Sequence, residues 1–349
     1  MPSQNSDARR NEKIEKYFSY LDKPFALEVD WPKAIELRKE LLPKNLFKYQ
    51  RFDRAKSVEP GNPNEDYCLQ NLRSRQFRFT APDDFNDPYD TAGFFLTAHA
   101  FEMLPFDLEA YLSLPDIRDY MEEDLKEELR RSDRKRETVE SILMREIPDE
   151  LSRRILIEVK TKHLKEAEDD TVRGMNGFFR KMTRVSSFCE INDSIVMWSH
   201  YGGYHKGFCL EYSSARLALA PNIPGWLHPV RYNANLFDVT KYLQAGVQYQ
   251  ASGGPISNNW ATIMACHKSP EWAYEREWRT VALDNRDFFG LEPVSVILGA
   301  RIDDLPAQKA ALVGIANDLK IPVKQAMLRQ ERFELTVVDY QSDEPLRPS

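Results

Sequence analysis

The sequence predicts an α+β fold: a mixed or antiparallel sheet with a charge-rich helical layer. Three observations predict it. Short segments of alternating polarity recur at uneven intervals, separated by helical stretches of unequal length, which is not the cadence of a βαβ array. A block near the middle is dense in charges of both signs. Hydrophobic residues make up 42% and aromatic residues 11% of 349 residues, enough for a substantial core.

The elements follow in chain order. Residues 1–14 are polar and read as a disordered tail, and residues 15–349 as a single α+β domain. Two amphipathic stretches occupy 15–42, the second starting at Trp31-Pro32, since proline is tolerated in a first helical turn. Leu46 to Phe52 alternates as a strand, 64–74 is a short helix, and Gln76 to Thr80 is a second strand. Ala81 to Asp90 carries two prolines and short side chains that bond their own backbone, which marks an ordered loop. A helix is expected to begin near Phe94 and to open a helical subregion over about 94–180. Within it Glu122, Glu123, Lys126, Glu127, Arg130 and Arg131 alternate in sign, with Leu125 and Leu129 four apart. Further strands are expected at 185–189, 207–212, 228–232, 277–283, 294–298 and 332–338, and helices at 258–269 and 304–318.

Composition narrows the function. The net charge of -7 weighs against long nucleic acid and anionic membrane as partners. No run approaches the ~20 apolar residues of a membrane span. The polar N-terminus lacks the apolar run of a secretory signal. Cys68, Cys189, Cys209 and Cys266 are widely spaced, without a CxxC pair, which fits a reduced cytoplasmic setting. There is no GxGxxG, GxxxxGK[ST] or HExxH.

Four segments carry chemistry. Met197 to Gly207 packs His200, His205, Tyr201, Tyr204, Lys206 and three glycines between a helix and a strand. Glycine lets backbone approach a ligand, histidine exchanges protons near neutrality, and lysine holds anions. Two histidines five apart bind a metal only with a third ligand, which the sequence does not identify, so no metal site is assigned. In the segment Lys268 to Arg279, a strand would place Glu275, Glu277 and Arg279 on one face, and a glutamate beside an arginine stays ionised. Asn86 and Asp87 either contact a ligand or cap their turn. On the first strand Lys48 and Gln50 face one way and Tyr49 and Arg51 the other, and one pair is expected to face a cleft.

These four blocks resemble the bacterial proteins grouped as domain of unknown function 2971. The Leu-Tyr-Lys-Tyr-Arg-like strand is matched by Leu46 to Arg51. The Phe-x-x-Pro-x-x-Phe-Asn-Asp-Pro-Phe-Glu-like stretch is matched by Phe79 through Asp90, ending Tyr89-Asp90 here. The Met-Trp-x-x-Tyr-x-x-x-His-x-Gly block is matched by Met197, Trp198, Tyr201, His205 and Gly207. The Trp-x-x-Glu-x-Glu-Trp-Arg block is matched by Trp272, Glu275, Glu277, Trp278 and Arg279. The blocks span 46–283 in the expected order, and the resemblance implies no reaction or substrate. A more distant resemblance, at fold level, is to ADP-ribosyltransferases, which would imply NAD as cofactor; the chain lacks their His-Tyr-Glu and Arg-Ser-Glu series.

Three functions are therefore weighed. The first is a module with a polar cleft that binds a small ligand or a protein partner. The second is an NAD- or nucleotide-using enzyme. In it Lys48, Lys206 and Arg279 hold phosphates, Trp198 or Tyr201 stacks on a ring, and Glu277 supports the cationic charge of a breaking glycosidic bond. The third is a metal-independent hydrolase or nuclease with His200 or His205 as base. Across them the catalytic candidates are Glu277, His205, Tyr201 and His200. The binding candidates are Lys48, Tyr49, Arg51, Asn86, Asp87, Trp198, Lys206, Glu275 and Arg279.

Overall fold

The computed structural model describes residues 4–52, 66–94, 176–219, 227–242, 257–284 and 286–341, together with Glu127, Arg131, Arg173, Gly174 and Ala245. The fold is α+β. The strands are β1 (Asn45–Gln50), β2 (Gln76–Arg78), β3 (Gly93–Phe94), β4 (Arg184–Cys189), β5 (Phe208–Ser213), β6 (Leu227–Pro229), β7 (Arg231–Tyr232), β8 (Phe237–Asp238), β9 (His267–Lys268), β10 (Glu277–Ala282), β11 (Phe288–Gly290), β12 (Ser295–Leu298), β13 (Val323–Leu328) and β14 (Leu335–Asp339). The helices are α1 (Gln4–Leu21), α2 (Trp31–Leu41), α3 (Tyr67–Arg73), α4 (Ile195–His200), α5 (Ser214–Leu219), α6 (Asn259–Ala265) and α7 (Pro306–Asp318).

Eight strands form the main sheet in the order β14-β13-β12-β5-β1-β4-β10-β6. Every pairing is antiparallel except β12 with β13, so the sheet is mixed. The alternation in β1 and the unbroken burial of β10 follow from position: β10 lies inside the sheet, with neighbours on both edges and apolar clusters around it.

One pairing is short. β1 runs beside β5 along its whole length, yet it meets β4 only at Phe47↔Cys189. Past that point β4 gains a different neighbour, because Thr80 and Val185 exchange two backbone hydrogen bonds of 2.8 and 2.9 Å. β1 and β4 therefore part company within the sheet.

The structure corrects several expectations. Residues 4–14 are not a disordered tail but the first turns of α1. Ile14, Tyr17, Phe18 and Leu21 recur at helical spacing and are buried. Polar side chains dock the earlier turns: Arg10 Nε donates to Glu190 at 3.0 Å, and Asp7 accepts from Arg276 at 2.6 Å. Gly93 and Phe94 are themselves a strand, pairing in parallel with Phe237 and Asp238, and the start of a helix just after them lies outside the described residues. The helix expected over 258–269 stops at Ala265, and His267-Lys268 is a strand beside β7. β13 was not anticipated. Most of the helical subregion expected over about 94–180 falls outside the described residues; within it Glu127 and Arg131 form an i,i+4 ion pair, and 173–174 and 176–180 are helical. Among the described residues no helix is long and apolar enough to cross a membrane.

Candidate functional site

A cavity of about 470 Å³ opens where β1 and β4 separate. Cross-strand register puts Phe47, Ser187, Cys189, Glu277 and Arg279 on one face of the sheet and Lys48 and Phe188 on the other. All of them line this one cavity, which therefore draws its lining from residues of both faces.

One wall is a buried charge cluster centred on Arg279. Its five guanidinium donors are all used inside the protein. Nε donates to Glu277 (2.8 Å), Nη1 to Asp90 (2.6 Å) and to the Ala265 carbonyl (2.6 Å), and Nη2 to Asp90 (2.6 Å) and Glu277 (2.9 Å). Arg279 is thus the frame of the site and has no donor left for a ligand. Lys268 inserts among the carboxylates, 2.6 Å from Glu275, 3.2 Å from Glu277 and 3.4 Å from Asp90, with Trp272 beneath it at 4.9 Å. Burial alone would lower its pKa; the charges of Glu277, Asp90 and Glu275 outweigh that and push it up to about 12.

Local backbone explains how two glutamates reach one lysine. Glu275 is not on the strand as the alternation suggested. It ends a 3-10 turn, Pro270–Glu275, whose N-cap is Ser269, and Arg276 then adopts the left-handed region (φ 46°) before β10 begins. The two carboxylates sit in different electrostatic surroundings. Glu277 is desolvated, which raises its pKa, but Arg279 and Lys268 more than reverse this and hold it well below the carboxylate range. Glu275, lacking the arginine, is pushed up to about 7 by burial and by the charge of Glu277. It accepts a 2.6 Å hydrogen bond from the Tyr201 hydroxyl, at the C-terminal end of α4. Glu275 is the group of this wall that can take or give a proton near neutrality.

Because the Tyr201 hydroxyl favours the ionised form of Glu275, Tyr201→Phe is expected to raise the Glu275 pKa further. Carboxyl-carbon NMR titration checks this, and an unchanged or lower value contradicts the assignment.

The opposite wall is basic. Lys48 donates to Ser186 Oγ (2.9 Å) and to the Ser187 carbonyl (3.1 Å), with its ammonium 5.1 Å from the Phe188 ring. Arg51 and Arg78 are exposed and line the same cavity. Burial of the Lys48 ammonium pulls its pKa down to about 8, only partly offset by Glu277.

Of the residues singled out from sequence, Lys48, Tyr49, Arg51, Asn86, His200, Tyr201, Glu275, Glu277 and Arg279 all line this cavity. His205, Trp198, Lys206 and Asp87 do not. Trp198 is fully buried and donates from Nε1 to the Asn192 carbonyl. His205 stacks on Trp198 and meets Ser199 Oγ at 3.1 Å. Lys206 pairs with Asp304 at 3.0 Å. Asp87 caps the backbone of Tyr89 and borders a neighbouring cavity of about 440 Å³. The glycines of this segment serve packing: a Cβ on Gly207 would lie 2.1 Å from the Gln50 carbonyl oxygen, so the turn presses against β1 and not against a ligand. Sequence reasoning did not single out Asp90, Lys268 and Arg78. Lys268 falls in the helix expected over 258–269 and heads the segment that runs to Arg279, but nothing local marks it as the cation among these carboxylates. The alternation of Gln76 to Thr80 was the available signal for Arg78.

Among the described residues no group of three or more His, Cys, Asp or Glu side chains is arranged to hold a metal. Residues 197–280 match the family model described as Protein of unknown function (DUF2971). That range holds the third and fourth sequence blocks, including Tyr201, Lys268, Glu275, Glu277 and Arg279. No curated protein and no solved structure matches the chain.

Proposed function

We propose that this chain, which over residues 197–280 belongs to the DUF2971 family, binds a small anionic molecule in the cavity between β1 and β4. Lys48 carries the reading. Its ammonium faces two neutral oxygens and, among the described residues, makes no ion pair. Arg51 and Arg78 border the same cavity and likewise have no carboxylate partner among the described residues. Three cations without carboxylate partners among the described residues stand on one side of the hollow, in a chain of net charge -7, and favour an anion on that side. The volume, about 470 Å³, is that of a small-molecule pocket. Behind the ligand, Glu275 and Tyr201 supply a proton-exchanging pair.

Calorimetry with inorganic phosphate and pyrophosphate tests this. Lys48→Met is expected to weaken binding about tenfold or more, the loss of one charge-assisted hydrogen bond. Failure of every anion to bind, or equal binding by the variant, overturns the reading.

A nucleotide, NAD included, is a second reading, favoured by the rings at the cavity. Tyr49, Phe85, His200 and Tyr201 line it and offer faces on which a base could stack. Glu277 is held by three donors from two cations, Arg279 and Lys268, whereas Glu275 has one lysine and one neutral hydroxyl, so chemistry on a glycosidic bond would fall to Glu275. Nicotinamide release from NAD, abolished by Glu275→Gln, supports that reading; no release removes it.

A further inference from the structure

We infer that Lys48 is an imine-forming lysine, and that the cavity takes an aldehyde or ketone bearing an anionic group held by Arg51 and Arg78. The inference rests on the anion-binding reading above and adds a covalent step to it.

The two lysines of this cavity are built in opposite ways. Lys268 is enclosed by Asp90, Glu275 and Glu277 and is fixed as an ammonium. Among the described residues, the Lys48 ammonium touches only the Ser186 hydroxyl, the Ser187 carbonyl and the Phe188 ring. Other lysines with a described partner, such as Lys206, Lys241, Lys309 and Lys324, each hold a carboxylate within 4 Å. A half-buried lysine with no carboxylate beside it among the described residues is one whose amine can lose its proton and act as a nucleophile. With its pKa drawn down from 10.5 to about 8, the free amine near neutrality is on the order of 300-fold more abundant than on an ordinary lysine.

The reaction closes with groups lining the same cavity. The lone pair of the neutral Lys48 amine attacks the carbonyl carbon, and the C–O π pair moves to oxygen. Transfer of one proton from nitrogen to that oxygen gives the carbinolamine. The Glu275 carboxyl then gives its proton to the hydroxyl, the C–O bond breaks, and water leaves as the nitrogen lone pair forms C=N. The products are a protonated imine, one water and the Glu275 carboxylate. No oxidant or reductant is needed. Tyr201, bonded to Glu275 at 2.6 Å, holds the acid in place.

Pyridoxal 5'-phosphate is the probe, because it joins an aldehyde to a phosphate. The full chain is incubated with it, reduced with borohydride and mapped by mass spectrometry. The expected result is one dominant adduct at Lys48, displaced by inorganic phosphate. It should be lost in Lys48→Arg, a substitution that keeps the charge and the donors to Ser186 and Ser187 but removes the amine. Adducts spread over surface lysines, or unchanged labelling of the arginine variant, overturn the inference. Should that variant not fold, the pH profile of labelling in the unmodified protein decides: a midpoint near 8 is expected, and one near the ordinary lysine value refutes it. Phosphate binding without any reducible adduct sinks the imine and leaves the anion reading standing. Equal labelling by pyridoxal without its phosphate sinks the anion reading itself.

Discussion

Replacing Arg279 by methionine is expected to lower stability by about 3–5 kcal/mol, the cost of leaving buried charges without their partner. The residue is 1% exposed, and its removal strands Asp90, Glu277 and the Ala265 carbonyl together. Lys268 alone cannot serve three carboxylates. Arg279→Lys retains the charge but cannot reproduce five donors in a fixed plane, so it should recover only part of the loss. Denaturant unfolding measures this as a lower midpoint at unchanged slope. A loss below about 1 kcal/mol would show that the cluster relaxes by admitting water or by protonation, and that Arg279 is not its frame.

The second large effect is a dependence on pH that runs against the usual behaviour of carboxylates. Glu275 has its folded pKa raised from 4.5 to about 7. The folded state therefore binds more protons than the unfolded state between those values. Stability from this group is fully present below the unfolded pKa and is lost as pH rises through about 7, by about 3 kcal/mol in all. Glu275→Gln removes the titration. The stability difference between variant and unmodified protein should therefore shift in favour of the variant from pH 5 to pH 8. Taking the difference cancels the other groups that titrate there, among them His228, whose pKa burial lowers to about 3 and whose contribution has the opposite sign. A difference that is flat with pH would contradict the assignment of Glu275 as the proton-exchanging group.

The strands were largely legible because their alternation is local. β1, β4, β5, β10 and β12 fall where polarity alternates or apolar residues run together. β13 was not legible: Val323 to Leu328 mixes lysine, glutamine and alanine, and it is a strand because β12 and β14 flank it. The same limit governs the site. Lys48, Tyr201, Glu275 and Glu277 were identifiable as chemistry-bearing residues, but their roles were not. Glu277 reads as the reactive carboxylate from its strand position, and only the bonds of Arg279 and Lys268 reveal that Glu275 is the freer of the two. Asp90, 189 positions from Arg279, carries no local sign that it completes that arginine's bonding. The first turns of α1 escaped notice because their docking runs through ion pairs to Glu190 and Arg276, far along the chain.

The divergence of β1 from β4 has a consequence for recognition. Beyond Phe47, alternate peptide groups of β1 point toward a neighbour that has moved away, and no ladder partner in β4 answers them. Apart from the Ser187 carbonyl, which Lys48 engages, main-chain groups along this seam are thus offered to whatever enters it, and no side-chain replacement deletes them. An occupant bridging the seam would stitch the two strands, and amide hydrogen exchange at 48–50 and 186–188 should slow together when it binds.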